Sequence, residues 1–180
     1  IAAKRIVWGK LVNCGQTCVA PDYLFVHREV KDRLIRLMQD EIVAQYGSDP
    51  MSSPDYPRIV NLRHFDRLEA LLSHGSIITG GVTNREQRYI APTLITDVRS
   101  DSPLLTDEIF GPILPIIPFD DIDDCKRFID DAFKKWKVDH CSVFCDGVFM
   151  TCYWLSPSLT AALRESAQKL REKRLNLYAN

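Results

Sequence analysis

The chain has 180 residues, of which 46% are hydrophobic, and a formal net charge of −1 at pH 7. These values are typical of a globular domain that is large enough to bury one core. Lysine and arginine are interspersed with aspartate and glutamate, which argues against a nucleic-acid partner. No apolar run reaches the roughly eighteen residues that a membrane span needs. Residues 141–155 come closest, and Asp146 interrupts them.

The cysteines and the chain start indicate the setting in which the protein works. Six cysteines are unevenly spread, which favours reduced cytosolic thiols and a cytoplasmic location over a disulfide framework. There is no Cys-x-x-Cys pair and the four histidines are scattered, so we expect no metal site. No signal peptide is visible. Residue 1 is not methionine and already lies in a helical pattern, so we interpret the chain as a fragment.

The first segments read as helix, strand and helix. Apolar residues recur at helical spacing through residues 2–12, and Asn13–Gly15 are expected to end this helix. A short strand is predicted at Tyr23–His27. The next helix, Glu29–Tyr46, is amphipathic, and Gly47 is placed to cap its C-terminal end. We expect one of its faces to carry five apolar residues: Val30, Leu34, Leu37, Met38 and Val43.

The middle of the chain alternates between helix, strand and turn. A helix is predicted over Ile59–His74, followed by a strand at Ser76–Thr79 that the Gly80–Gly81 turn closes. Tyr89–Val98 is rich in strand-forming residues, and Pro92 within it indicates an edge or a bulge.

Two further elements complete the pattern. Ile113–Phe119 predicts a short strand, although Pro115 and Pro118 argue against a central position in a sheet. Asp121–Trp136 predicts a helix with an acidic start and five inward residues: Ile122, Cys125, Phe128, Ile129 and Phe133. Strands that alternate with helices in this way indicate an α/β fold, an open sheet with crossover helices.

The character of the sequence changes after Trp136. Val138–Leu155 is rich in aromatic residues and cysteine and has no clean period. Ser158–Asn176 predicts a charged helix, which we interpret as a solvated helix more readily than as a partner-binding one.

The stretch Asn13–Tyr23 is the first candidate for chemistry. It places Cys18 in a turn just past a helix, where a substrate could approach the thiol and backbone amides could hydrogen-bond it. Gly15 permits the tight backbone path, and small residues at Thr17 and Ala20 leave room around the sulfur. A cysteine in isolation is more often a small buried hydrophobe.

The stretch Thr106–Pro112 is the second candidate. It places a carboxylate beside an aromatic ring and a glycine, either as part of a functional site or as a surface acid pair before a buried phenylalanine and a Gly-Pro turn. No G-x-G-x-x-G phosphate loop is present.

Read together, these stretches resemble the aldehyde dehydrogenase superfamily. Gly15–Tyr23 is similar over nine consecutive positions to the nucleophile segment of the class 3 enzymes, which act on fatty and aromatic aldehydes. Thr106–Pro112 resembles the second signature of that family, which usually has glutamate where Asp107 stands. Arg88–Thr93 also matches, in a part whose role looks structural.

The resemblance implies roles for three residues. Cys18 maps onto the catalytic thiol, Glu108 onto the ribose-binding carboxylate, and Phe110 onto the ring that packs on the nicotinamide of NAD or NADP. Cys14 has no catalytic counterpart. The implied reaction oxidises a small-molecule aldehyde to a carboxylic acid through a thiohemiacetal and a thioester on the cysteine. Members of the family are homo-oligomers.

The resemblance covers only part of the chain and only part of the family's site. We expect residues 1–130 to be a partial catalytic domain and residues 131–180 to be a non-matching tail that ends in the charged helix. The cofactor-binding region, the deacylating glutamate and the oxyanion asparagine of the family would all precede residue 1. Nothing in the tail is apolar enough for a membrane anchor.

Three hypotheses stay open from the sequence. The chain is an NAD(P)-dependent aldehyde dehydrogenase, a truncated or spliced product without turnover of its own, or a thiol redox protein that uses Cys14 and Cys18.

Overall fold

A computed structural model describes residues 1–128 in full and residues 140–145 and 148–153 by their backbone. The chain divides into two compact units, Ile1–Trp136 and Lys137–Asn180.

The described helices of the first unit lie close to the predicted positions, apart from a short helix at Pro103–Thr106 that the sequence did not predict. They are α1 at Ala2–Leu11, α2 at Arg28–Tyr46, α3 at Leu62–Leu71, the short α4 at Pro103–Thr106, and α5 at residues 122–128, where the described part of this unit ends. Two 3₁₀ turns extend α1 and α3, at Val12–Gly15 and Leu72–His74. Gly47 ends α2 with a positive φ of 81° and a backbone bond from its N–H to the Val43 carbonyl, so it caps the helix as predicted.

The strands of the first unit form a mixed four-stranded sheet beside a two-stranded ladder. They are β1 at Leu24–His27, β2 at Ser76–Thr79, β3 at Thr83–Asn84, β4 at Tyr89–Ile90, β5 at Thr93–Thr96 and β6 at Ile113–Phe119. The sheet order is β1-β6-β5-β2, while β3 pairs with β4. β6 runs parallel to both β1 and β5, and β2 runs antiparallel to β5. The predicted α/β class with crossover connections is therefore confirmed.

The expectation that β6 avoids a central position was wrong. This strand lies between β1 and β5, although it contains Pro115 and Pro118. Its register explains how the prolines fit. Ile113–Pro115 pairs with β5, and residues 116–119 pair with β1, so each half of the strand is paired on one side. A missing N–H is tolerated where the other side of the strand has no ladder to supply.

The expected inward face of α2 was largely wrong. Its buried residues are Ile35, Met38 and Ile42, which share one face at helical spacing. Val30 and Val43 are instead exposed, at 49% and 53%, as is Leu37. Of the five predicted residues only Met38 is fully buried, and Leu34 packs partly against the core. The helix carries apolar residues on more than one face, and periodicity alone cannot tell which face packs.

The helix predicted from Ile59 begins later, because Asn61 caps it. The Asn61 side chain accepts a hydrogen bond from the His64 N–H, which fixes the first turn. The Ile59 N–H is used by the Arg88 carbonyl instead. The stretch predicted as strand over Tyr89–Val98 divides into β4 and β5 on either side of Pro92.

In α5, Cys125 is buried as predicted and Phe128 is partly buried. Ile122 is 56% exposed, because it stands at the first turn of the helix, and its predicted inward position was wrong. The predictions for Ile129 and Phe133 lie outside the described residues.

The second unit contains an antiparallel hairpin that the sequence did not predict. Its strands are β7 at His140–Cys145 and β8 at Val148–Tyr153, with His140 opposite Tyr153. The predicted Ser158–Asn176 helix lies outside the described residues. In the described parts of the chain, no helix combines the length and hydropathy that crossing a bilayer requires.

Candidate active site

Cys18 lies on an exposed turn between α1 and β1. The chain leaves α1 through Asn13 and Cys14, whose φ values are positive, and then closes a turn in which the Ala20 N–H donates to the Thr17 carbonyl at 3.2 Å. Cys18 is an exposed free thiol at this turn. We call residues 16–20 the thiol loop. Its geometry presents a sulfur that a small electrophile can reach.

The start of the thiol loop is fixed by Gln16, whose side chain is buried and fully used. Its amide nitrogen donates to the carbonyls of Asn13 and Arg58, each at 3.1 Å, and its amide oxygen accepts from the Val60 N–H at 2.9 Å. These bonds tie the thiol loop to the segment before α3. They explain why a glutamine precedes the Thr-Cys pair.

The two sequence motifs meet at a pair of glycines. Gly15 has a φ of +71°, and a Cβ placed on it would lie 2.2 Å from the Gly111 carbonyl oxygen. A Cβ on Gly111 would lie 2.5 Å from a methyl carbon of Leu68. The chain therefore packs backbone against backbone at this point, which only glycine allows.

A second contact joins the motifs through a carboxylate. The Asp22 Oδ1 accepts a hydrogen bond from the Ile109 N–H at 3.1 Å, across 87 residues of sequence. One residue earlier, the Pro21 carbonyl accepts from the Lys10 Nζ at 2.8 Å. The segment that leaves the thiol loop is thus held by α1 on one side and by residue 109 on the other.

The segment that carries Glu108 and Phe110 is held by its carbonyl groups. His64 Nε2 lies 2.7 Å from the Phe110 carbonyl oxygen, and Arg67 donates to the carbonyls of Glu108, at 3.3 Å, and of Ile109. Ile109 is fully buried, while Glu108 is exposed and Phe110 is half-buried with a φ of +53°. The backbone of this segment is therefore fixed by side chains of α3.

An open groove of about 580 Å³ lies beside Phe110. The edge of its ring faces His64, with the two ring centroids 6.0 Å apart. The groove combines an aromatic ring with cationic side chains, and its lining residues are Val60, Asn61, Arg63, His64, Arg67 and Phe110.

Cys14 is buried, whereas Cys18 is exposed. The Cys14 side chain is fully buried, and burial raises the pKa of the thiol to about 11, an effect that the neighbouring Tyr56, Arg58 and Lys10 only partly offset. A thiol in this state is a poor nucleophile at neutral pH. This environment does not favour the redox hypothesis, which needs both cysteines to react.

Within residues 1–128, no three side chains of histidine, cysteine, aspartate or glutamate lie together as a metal site would require.

The structure places the predicted site residues on two segments that are joined through the residues flanking the thiol loop. Cys18 lies on the thiol loop, and Glu108 and Phe110 lie on the segment that Asp22 and Gly15 contact. Sequence reasoning assigned no role to four side chains that hold these segments: Lys10, Asp22, His64 and Arg67. Only Asp22 lay inside a recognised motif, and nothing in the local sequence marked the others.

Residues 1–132 match the aldehyde dehydrogenase family. The chain is 46% identical over 134 residues to aldehyde dehydrogenase family 3 member A2 of Rattus norvegicus, a match that covers 74% of this chain and 28% of that relative. It is 48% identical over 136 residues to 4,4'-diaponeurosporen-aldehyde dehydrogenase of Staphylococcus aureus, covering 74% of this chain and 30% of that relative.

Solved structures give the same result. The substrate-bound state of Staphylococcus aureus AldH matches with a TM-score of 0.70 and 47% identity, over 72% of this chain and 29% of that one. The complex of 3,6-anhydro-L-galactose dehydrogenase with NAP matches with a TM-score of 0.62 and 29% identity, over 72% and 30%. The chain thus spans less than a third of the relatives that it matches.

Proposed function

The chain belongs to the aldehyde dehydrogenase family, and from this premise we propose that it supplies the thiol nucleophile for NAD(P)-dependent oxidation of an aldehyde to a carboxylic acid. The observation that carries the proposal is the exposed free thiol of Cys18 on a turn that is tied to the Glu108–Phe110 segment. The names of the relatives support the reaction class, since those proteins are called aldehyde dehydrogenases.

Cys18 acts as the covalent catalyst in this proposal. Its thiolate attacks the aldehyde carbon, and the carbonyl electron pair moves to oxygen to give a thiohemiacetal. In this proposal the Cys18 backbone N–H donates a hydrogen bond that stabilises the negative charge on that oxygen. Loss of hydride from the same carbon leaves a thioester on Cys18. Attack by water then releases the carboxylic acid and restores the thiol.

NAD or NADP supplies the hydride acceptor when it is bound. The residues present fit such a group: Phe110 offers a half-exposed ring for a nicotinamide, and Glu108 offers an exposed carboxylate for ribose hydroxyls. Arg63 and Arg67 give the adjoining groove the positive charge that a phosphate prefers. We propose Glu108 and Phe110 as the cofactor contacts.

A second candidate is that the chain binds an aldehyde covalently without completing the oxidation. The observation that favours it is the extent of the match, which is 28% of the rat relative's length. We further propose that the tail, residues 131–180, is not part of the family domain, because the family match ends near the start of the tail, at residue 132. A cytoplasmic location agrees with the free thiols of Cys14, Cys18 and Cys125. Homo-oligomer formation stays a prediction.

The test is NADH formation by the purified chain with NAD and a medium-chain aldehyde, measured beside Cys18→Ala. Cys125→Ala is the matched control, because it removes a buried thiol outside the thiol loop. Turnover that is lost in Cys18→Ala and kept in Cys125→Ala supports the full reaction. A folded chain without turnover favours the second candidate. Equal turnover in wild type and Cys18→Ala contradicts the assignment of Cys18.

A further inference from the structure

Lys10 is a charged residue that the fold buries. It lies on α1 beside Leu11, and only 2% of it is exposed. Burying an ammonium group costs free energy unless its surroundings compensate. Burial lowers the pKa of Lys10 from its usual 10.5 to about 8, although the negative charge of Asp22 opposes that change most strongly, followed by Cys14 and Glu108. The cost suggests a role that an apolar residue could not fill.

The hydrogen bond of Lys10 spans the base of the thiol loop. Its Nζ donates to the Pro21 carbonyl at 2.8 Å, which links the helix before the loop to the residue after it. The acceptor is a neutral carbonyl, so the bond places a backbone segment and does not merely neutralise a charge. It closes the loop at the point where the chain turns towards β1.

The same bond reaches the second motif through the next residue. Pro21 is followed by Asp22, whose carboxylate accepts the Ile109 N–H. Asp22 also raises the Lys10 pKa electrostatically, so Lys10 and Ile109 are coupled to the same carboxylate. A change in the position of the Lys10 side chain would therefore shift both Pro21, directly after the thiol loop, and the Glu108–Phe110 segment.

We propose that Lys10 is a positioning residue, whose buried amine sets the placement of the thiol loop relative to the Glu108–Phe110 segment through Pro21 and Asp22. The proposal rests on the proposed function of Cys18 as the nucleophile. Lys10 does not touch the reacting atoms. It acts through the two segments that carry them. The titratable groups that face it are Asp22, Cys14 and Glu108.

The first test is a spectroscopic titration of the wild-type chain, which needs no variant. Carbon-13 NMR of the Lys10 Cε gives its midpoint, which we expect at about 8. The amide signals of Asp22 and Ile109 should shift with the same midpoint, because they share the carboxylate that Lys10 faces. Amide signals that stay constant through the Lys10 midpoint would overturn the proposal.

The second test compares Lys10→Met with the control Leu11→Met, which introduces the same residue at the next buried position of α1. Hydrogen exchange of the Ile109 amide, which donates to Asp22, should accelerate roughly tenfold or more in Lys10→Met, because the bond that holds the adjacent Pro21 carbonyl is lost. Leu11→Met should leave this amide within about twofold of wild type. Equal acceleration in both variants, or in neither, would contradict a positioning role.

Both readouts are independent of turnover. If Cys18 proves unreactive while the exchange and titration results hold, the link between Lys10 and residue 109 stands and the proposed function is wrong. If Cys18 is reactive and neither readout responds to Lys10, the proposed function stands and this inference is wrong.

Discussion

Gly15 is the residue at which the contact between the two motifs can be tested by a single methyl group. Replacing it with alanine adds one carbon at a position with a φ of +71°, directly against the Gly111 carbonyl. The added methyl group is unfavourable for two separate reasons. One is local strain in the left-handed region, and the other is a collision between two backbone segments.

The structure gives the size of both effects. Alanine in the left-handed region costs about 1–2 kcal/mol. The added Cβ would lie 2.2 Å from the Gly111 oxygen, so the segments must separate by about 1.2 Å to reach an ordinary contact of 3.4 Å. Overpacking of this kind costs about 1–3 kcal/mol. We expect Gly15→Ala to lower the free energy of unfolding by about 2–5 kcal/mol in total, a large part of the stability of an ordinary domain.

The assay is urea unfolding followed by circular dichroism, with Gly9→Ala as the matched control. Gly9 lies within α1, and a Cβ added there meets nothing within 4 Å. Alanine is favoured over glycine in a helix, so Gly9→Ala should raise the free energy of unfolding by about 0.5–1 kcal/mol. The two variants make the same chemical change six residues apart and should move stability in opposite directions. A Gly15→Ala chain as stable as wild type would refute the close approach of the motifs.

Three further predictions address stability. The pKa of Lys10 is about 8 in the folded chain and 10.5 when free, so the unfolded chain binds more protons between these values and stability rises with pH. Relative to Lys10→Met, the free energy of unfolding of wild type should therefore increase by about 1 kcal/mol from pH 7 to pH 9 in urea titrations, and no relative change would contradict the burial of a charged amine. Arg67→Ala removes the donor to two carbonyls and should cost about 1 kcal/mol, whereas Arg63→Ala on the same helix should cost less than about 0.5 kcal/mol; equal losses would count against the anchoring role. Tyr56→Phe leaves the Ile90 carbonyl without its 2.9 Å donor and should cost about 1 kcal/mol by thermal unfolding, a loss that an unbonded hydroxyl would not show.

Much of the fold could be predicted because its elements have local causes. α2 was found within one residue at its start and at Tyr46 itself at its end, since Gly47 marks that end in the sequence. Its packing face could not be found, because exposed Val30 and Leu37 are as apolar as buried Ile35. That choice is made by packing against α1 and the sheet, which exists only in the folded chain.

The prolines of β6 show another limit of prediction from the local sequence. A proline argues against a central strand only if a paired neighbouring strand needs the N–H of that residue as a donor. The staggered pairing of β6 with β1 and β5 removes that need, and stagger is a property of the assembled sheet. The rule that prolines avoid central strands therefore predicts the wrong position for β6.

The candidate site was likewise only partly predictable from the sequence. Cys18, Glu108 and Phe110 were proposed from motifs whose residues adjoin one another in sequence. The side chains that hold those motifs together come from α1 and α3, and a lysine within a helical pattern looks like any solvated charge. Lys10 is recognisable only when its burial and its bond to Pro21 are both known.

The central claim is that the fold makes Cys18 a reactive nucleophile, and acylation by p-nitrophenyl acetate tests it without any cofactor. The thiolate attacks the ester carbonyl, p-nitrophenolate leaves, and an acetyl thioester remains that mass spectrometry can assign to a residue. We predict that the folded chain acquires its acetyl group on Cys18 and not on buried Cys14, at least roughly tenfold faster than the same chain in urea. Acylation of Cys18 that is no faster in the folded chain than in the unfolded one would contradict the account.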